Sequence, residues 1–273
     1  MKTILITGST DGIGLGAARA LAGEGHRVLL HGRSADKLEA AKAEIEAIAP
    51  DAEIATYRAD MSNPQEVVDL AKTVAAGEER IDALLNNAGV VKTPQTIGAS
   101  GHDTRFLVNT FAPIILTRGL MDRLAPDARV VNTSSAAQAP IEPAQLRGEE
   151  PVKDDFSAYS QSKLALTMWS RRMAAAHPDG PYFYAVNPGS LLATKMVVEG
   201  FGMDGNDPTK GYTILKEGAV GAMFDGHSGE YFDNDAGNPL GDWGSPHADA
   251  LDDAKCDAVL ALIEAELVKL GSA

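Results

Sequence analysis

Tyr159 and Lys163 stand four residues apart in a stretch of helical pattern, so their side chains share one face. A phenol ordinarily ionises near pH 10, roughly three units too high for easy proton exchange at neutrality. A neighbouring ammonium favours the phenolate and suits such a tyrosine to give or take a proton. Ser134-Ser135 closes an apolar run, and Asn86-Asn87-Ala88-Gly89 closes another. Each alone reads as turn chemistry. At the start of the chain an apolar run leads into Thr7-Gly8-Ser9-Thr10-Asp11-Gly12-Ile13-Gly14. Its glycines permit a tight turn and let a diphosphate approach backbone N–H groups at a helix start, where the dipole favours anions. The spacing is Gly-x3-Gly-x-Gly, and position between a first strand and a first helix is what makes it a nucleotide candidate.

The elements that must position these groups alternate along the chain. Short apolar runs at 4–6, 27–31, 53–58, 83–85, 129–133 and 182–186 predict strands, several of them apolar enough to be covered on both faces. Helical patterns lie between them at 14–22, 34–48, 64–76, 102–124 and 156–176. Asn63 and Pro64 supply a cap and a first-turn proline for the third. Such alternation predicts an α/β fold: one Rossmann-type domain over residues 1–273, with a doubly wound parallel sheet of about seven strands and helices on both faces. Tyr231-Phe232 is the expected last edge strand. The following FDND stretch, 232–235, lacks the spacing and closing Glu of a calcium loop and reads as a solvated acidic loop. Apolar positions from Cys256 to Leu270 predict a final helix with Cys256 packed on it. All four motifs then fall on the carboxyl edge of the sheet, where open parallel sheets bind ligands.

Composition limits the partners. There are 24 Lys and Arg against 38 Asp and Glu, a net charge of −14, which argues against nucleic acid and anionic membrane surfaces. One cysteine permits no intrachain disulfide, and a cytoplasmic location is expected. No run reaches the length of a spanning helix. No metal-ligand pattern is present.

Together these residues resemble the short-chain dehydrogenase/reductase family. Residues 7–14 are similar to its TGxxxGxG loop, Asn86 to Gly89 to its NNAG, and Tyr159 to Lys163 to its YxxxK. The long insert 140–155 and the late Glu230-Tyr231-Phe232 resemble the retinol-dehydrogenase and protochlorophyllide-reductase-like branch. The resemblance implies a catalytic set of Asn109, Ser135, Tyr159 and Lys163, with Asn109 holding a water that links Lys163 to solvent. It also implies a cofactor site of Gly8, Ser9, Thr10, Asp11, Gly12, Ile13, Gly14, Arg33, Ser34, Asp60, Met61, Asn87, Ala88, Gly89, Tyr159, Lys163, Pro188, Gly189, Leu191 and Thr194. Four residues separate Gly189 from Thr194 where three are usual.

At the end of the second strand Gly32 stands where NAD users keep a carboxylate, and Arg33, Ser34 and Lys37 follow. A guanidinium there favours a 2′-phosphate, so NADP(H) is expected over NAD(H). The expected activity is NADP(H)-dependent interconversion of a carbonyl and an alcohol. Its rival is a regulator that binds NADP(H) without turnover. The apolar segment 190–212 is expected to cover a pocket for a hydrophobic small molecule, and 201–212, with Gly200, Gly202, Gly205 and Gly211 close together, to move as a lid. A homo-oligomer is compatible with the sequence.

Overall fold

The structure, a computed structural model, describes residues 1–193, 205–237 and 239–271. Its centre is an eight-stranded sheet in the order β3-β2-β1-β4-β5-β6-β7-β8. The strands are β1 Thr3–Ile6, β2 Arg27–Gly32, β3 Ile54–Arg58, β4 Ile81–Asn86, β5 Leu124–Thr133, β6 Tyr182–Asn187, β7 Tyr231–Asp233 and β8 Asp242–Gly244. All neighbours are parallel except β7 and β8. The order reverses between β1 and β4, the seam at which such sheets open a ligand crevice.

Side-chain alternation sorts the core into two layers. Ile4 and Ile6 of β1 join Val28, Leu30, Leu85, Val131 and Tyr184 on one face. Leu5 joins Leu29, Leu84, Val130 and Phe183 on the other. The first layer is covered by α1 Gly12–Gly23, α2 Ala35–Ile48 and α8 Thr209–Val220. The second is covered by α3 Pro64–Gly77, α4 Thr104–Phe106, α5 Ala112–Leu120, α7 Asp155–Ala176 and α9 Asp253–Lys269, with the short α6 Pro143–Leu146 in the insert. Asn63 caps α3 ahead of Pro64, as its sequence implied. Cys256 lies fully buried on α9 beside Leu164, Met168 and Ala250.

Three expectations change. The sheet has eight strands, because Trp243 folds back over Tyr184, Phe224 and Phe232 and brings β8 antiparallel to β7. Thr209–Val220, read as part of a covering segment and a loop, is a helix. The single helix expected over 102–124 is divided: a π-helical turn, Leu107–Phe111, sits between α4 and α5, and a 3-10 turn follows at Met121–Arg123. Pro113 has no N–H to donate to the carbonyl of Asn109 four residues earlier, which breaks the regular ladder at that point.

Helix α8 packs across α1 by close approach. A Cβ on Gly16 would lie 2.4 Å from Cδ1 of Tyr212, near the root of a ring held by its own helix. Gly23, at the exposed end of the same helix, faces open space. Gly16→Ala is therefore expected to lower stability by about 1–3 kcal/mol through overpacking, whereas Gly23→Ala raises it by up to about 1 kcal/mol through helix propensity. Urea unfolding of the two variants checks the opposite signs.

Candidate active site

The strand ends at the carboxyl edge gather the sequence motifs into one cleft. β1 runs into the glycine turn, and Asp11 caps α1 by accepting from the Gly12 amide at 2.7 Å. The first-turn amides of Ile13 and Gly14 have no partner within a helix, so this end is a ready anion cradle. A Cβ at Gly14 would lie 2.3 Å from the Gly8 carbonyl oxygen and 2.5 Å from Asn87 Nδ2, so only glycine fits. Asn87 donates from Nδ2 to the carbonyls of Thr7 (2.9 Å) and Gly8 (3.2 Å). Thr7 Oγ1 accepts from the amides of Asn87 (2.9 Å) and Ala88 (3.0 Å). The side chains of Asn87 and Thr7 thus brace the turn, and Ala88 packs directly under Gly8.

At the end of β2, Gly32 is buried against Thr10, whose Cγ2 would lie 2.7 Å from an added Cβ. A larger side chain there would have to displace the Thr10 side chain. Arg33 and Lys37 are exposed beside it. Ser34 caps α2, its Oγ 3.4 Å from the Lys37 amide. Asp60 accepts from the amide and hydroxyl of Ser62 at 2.9 and 2.8 Å. Met61 turns its side chain into the core, which leaves only its backbone for the cleft.

On the other side of the seam, Ser135 follows β5, and Tyr159 and Lys163 project from α7. Ser135 lies close enough to Tyr159 to act on its phenol, and Ser135 Oγ accepts from the Ala137 amide at 3.1 Å. Ser134 points elsewhere, to Thr167 Oγ1 at 2.6 Å. Tyr159 is partly open to the cleft, yet the protein packed around it raises its phenol above the usual range, and Ser135 opposes that rise. Lys163 is buried, with Nζ donating to the Thr133 carbonyl at 2.6 Å and 5.6 Å from the Tyr159 ring centroid. Burial takes its ammonium down to about 7. The expected lowering of the phenol by Lys163 is accordingly not found: the amine is aimed at Thr133 and is itself drawn toward neutrality.

Asn109 is fully buried in the π-helical turn. Its Oδ1 accepts from the Val90 amide (2.8 Å), and Nδ2 donates to the Val90 carbonyl (2.9 Å) and Ser162 Oγ (3.0 Å). Beyond β6, Pro188 is buried and Gly189 adopts φ +118°. Leu191 holds φ +50°, unusual for a side-chain-bearing residue. Leu192 is buried against Gly189 and Gly211 and lines core, not cleft. Residues 194–204, which include Thr194 and the first part of the proposed lid, lie outside the described residues; Gly211 belongs to α8.

A profile of the short chain dehydrogenase family matches residues 2–201. The chain belongs to this family. Among its relatives, mouse retinol dehydrogenase 12 is 36% identical over 197 residues, 70% of this chain and 62% of that protein. Human retinol dehydrogenase 13 is 31% identical over 193 residues, 69% of this chain and 58% of that protein. The matched region covers less than two thirds of the length of these curated relatives, and it places the chain on the retinol dehydrogenase-like branch. An uncharacterized protein from Mycobacterium paratuberculosis superposes with a TM-score of 0.77 at 25% identity, covering 97% of this chain and 92% of that one. A short chain dehydrogenase from Shigella flexneri, solved in complex with NADP, superposes with a TM-score of 0.70 at 22% identity, covering 86% and 97%. That likeness is one of fold. No helix among the described residues is long and apolar enough to cross a membrane.

Several residues at this dehydrogenase cleft escaped sequence reading. Tyr231 donates to the Ser135 carbonyl at 3.0 Å, as does Gln138 Nε2, so the serine is held from both sides. The FDND stretch is not a free acidic loop: Phe232 and Asn234 are buried, and Asp235 bonds the loop after β6. His31 is buried beneath the glycine turn. Its Nδ1 accepts from the Gly8 amide (3.2 Å), so Nε2 carries the proton and donates to the Ala59 carbonyl (3.2 Å). Histidine before a strand end carries no motif; only the three-dimensional register shows it.

Burial depresses His31 to about 4. An unfolded histidine titrates near 6.5. Between those values the unfolded chain takes up a proton that the folded chain refuses, so stability rises with pH across this window and the penalty is absent above it. At its full extent the penalty is on the order of 3 kcal/mol. His31→Gln should show a shallower fall in unfolding midpoint from pH 7 to 4.5 than wild type; parallel curves would assign the acid sensitivity elsewhere.

Proposed function

We propose that this protein is an NADP(H)-dependent oxidoreductase that interconverts a carbonyl and an alcohol. The observation that carries the reading is the meeting of Ser135 and Tyr159 at the carboxyl edge, where the serine acts on the phenol, with the Lys163 amine buried behind them. Two hydroxyls converging on one point can hold a carbonyl oxygen and stabilise the charge it gains. The nicotinamide dinucleotide, when bound, supplies or removes the hydride. In the reducing direction Tyr159 gives its proton to the substrate oxygen while Ser135 holds that oxygen by a second hydrogen bond. A phenol raised by burial gives up its proton less readily, so the phenolate it leaves has to be reprotonated from its surroundings.

Lys163, near neutrality in its titration, can pass a proton toward Tyr159 or hold a ribose hydroxyl within its reach. Both polar atoms of the Asn109 side chain are engaged, so a water serving Lys163 would be held by the Asn109 main-chain carbonyl, which Pro113 leaves without its regular helical donor. Tyr231 and Gln138 fix Ser135 by its carbonyl, and the Ala137 amide donates to its Oγ at 3.1 Å, which leaves the O–H free to donate.

The glycine turn fits a diphosphate, since Gly8 and Gly14 let it close tightly on Ala88 and Asn87 and so set the first-turn amides of α1 at the cleft. Gly32 presents no carboxylate to repel a 2′-phosphate, and the exposed Arg33 and Lys37 provide positive charge for it. The substrate is read as a small hydrophobic carbonyl or alcohol, in keeping with the retinol dehydrogenase relatives.

Two experiments test this. Tyr159→Phe should keep its fold and bind NADPH but lose about 10²–10⁴-fold in kcat against a panel of aromatic and aliphatic aldehydes. Retention of most of the rate would require another acid. Wild type should prefer NADPH to NADH in kcat/KM. Arg33→Ala should lose much of that preference, about 10- to 100-fold for a charged hydrogen bond of roughly 1.5–3 kcal/mol, with NADH rates almost unchanged.

A further inference from the structure

Strand β7 carries the FDND stretch alongside the end of β6, and the hydrogen bonds between them all converge on the loop 187–190. Asn187 Nδ2 donates to Asp233 Oδ1 (2.7 Å) and Asp235 Oδ2 (2.8 Å). The Ser190 amide donates to Asp235 Oδ1 and Oδ2 at 2.9 and 3.0 Å, and its hydroxyl to Oδ2 at 2.5 Å. Asn234 is fully buried, and its Nδ2 reaches both the Pro188 carbonyl (2.7 Å) and the Lys210 carbonyl (3.0 Å). Lys210 Nζ returns a bond to the Asn234 carbonyl at 3.0 Å. One carboxylate and one amide thus hold Pro188 and Ser190 on either side of Gly189, whose own amide donates to Asn187 Oδ1 at 3.2 Å. The left-handed backbone of Gly189 and Leu191 lies within this grip, as strained loops do where their surroundings over-determine them.

The place of the loop gives the clamp its meaning. Neighbouring strands lie about 4.8 Å apart, and β6 is three strands from β1, so the loop stands roughly 14 Å from the glycine turn along the edge. A dinucleotide whose diphosphate rests on the glycine turn would extend along this edge across β4 and β5 toward the loop. Ser135, on the adjoining β5, marks where the substrate oxygen must lie. The loop 188–190 therefore walls the end of the cleft where the hydride donor ring has to sit.

We propose that Asn234 and Asp235 are positioning residues which fix the loop 188–190 against the nicotinamide half of the cofactor, a role that rests on the dehydrogenase reading above. Asp235 acts as a carboxylate: burial alone would raise it, but the Ser190 amide and hydroxyl and the Asn187 amide hold it below the usual range. An amide in its place would turn an NH2 group toward donors and break the grip at constant size. Neither residue touches the glycine turn, so the adenosine half of the site is independent of them.

The test compares binding of NADPH with that of adenosine 2′,5′-bisphosphate, which lacks the nicotinamide, by titration calorimetry, alongside turnover. Asp235→Asn should raise the Kd for NADPH tenfold or more and lower kcat tenfold or more. Its Kd for the bisphosphate should stay within twofold of wild type. Should that variant fail to fold, Ser190→Ala removes one donor to the same carboxylate at an exposed position and should show the same pattern at several-fold. Equal weakening of both ligands, or NADPH binding and kcat unchanged, would overturn the clamp while leaving the dehydrogenase reading intact. Wild-type protein that binds neither ligand would overturn both.

Discussion

The seam between β1 and β4 is held by side chains where the sheet's own logic runs out. Strand order reverses there, and the chains leaving the two strands turn to opposite faces of the sheet. Backbone pairing ends at Ile6 and Leu85. Thr7 and Asn87 then continue the ladder with side-chain atoms, each bonding the other strand's backbone. This cross-brace sets the height of the glycine turn over Ala88, and so the direction in which α1 aims its amides. On the next strand His31 supports the same turn from below, by its Gly8 bond. A cradle made of glycines is stiff here because residues that never meet a ligand hold it.

The reacting end is organised by a different force. Lys163 and Tyr159 are placed by α7 in a region where water is scarce, and desolvation dominates both titrations. Burial pushes the phenol and the ammonium toward their neutral forms, bringing an amine close to neutrality beside a hydroxyl pair. Asn86, Asn132 and Ser170 form a buried chain across β4, β5 and α7, with Asn86 Nδ2 at 2.9 Å from Asn132 Oδ1 and Asn132 Nδ2 at 2.5 Å from Ser170 Oγ. Such a network fixes α7 in register against the sheet.

The strands that form both faces of the core were legible because fully covered parallel strands are almost wholly apolar, as in β1 and β4. The glycine turn, Ser135 and the Tyr159–Lys163 pair were legible as motifs, and the fold brings them to one edge. Helix α8 was hidden by its own packing: Gly211 and Gly218 sit against Leu192, Ile13 and Val131, and glycines demanded by close approach look like loop glycines in a sequence. β8 was hidden because a three-residue strand with one large apolar residue has no period to detect. Tyr231, His31 and Asp235 act on backbone atoms of other strands, and no local pattern encodes which strand will be next to which.

The burial of α7 has a consequence for the order of assembly. Leu164 and Met168, one and five residues beyond Lys163, pack against Cys256 and Ala250, and Trp169 shares its core with Ile263 and Leu267. His102, just before α4, bonds Glu266 across 164 positions of chain. The helix that bears the reacting pair therefore stays uncovered on one side until residues 253–269 have been synthesised and docked. Contacts of such long sequence separation form slowly, and an apolar flank waiting for them is exposed to aggregation in the meantime. The last helix is in this sense part of the reacting centre's folding, although it contributes no atom to the cleft.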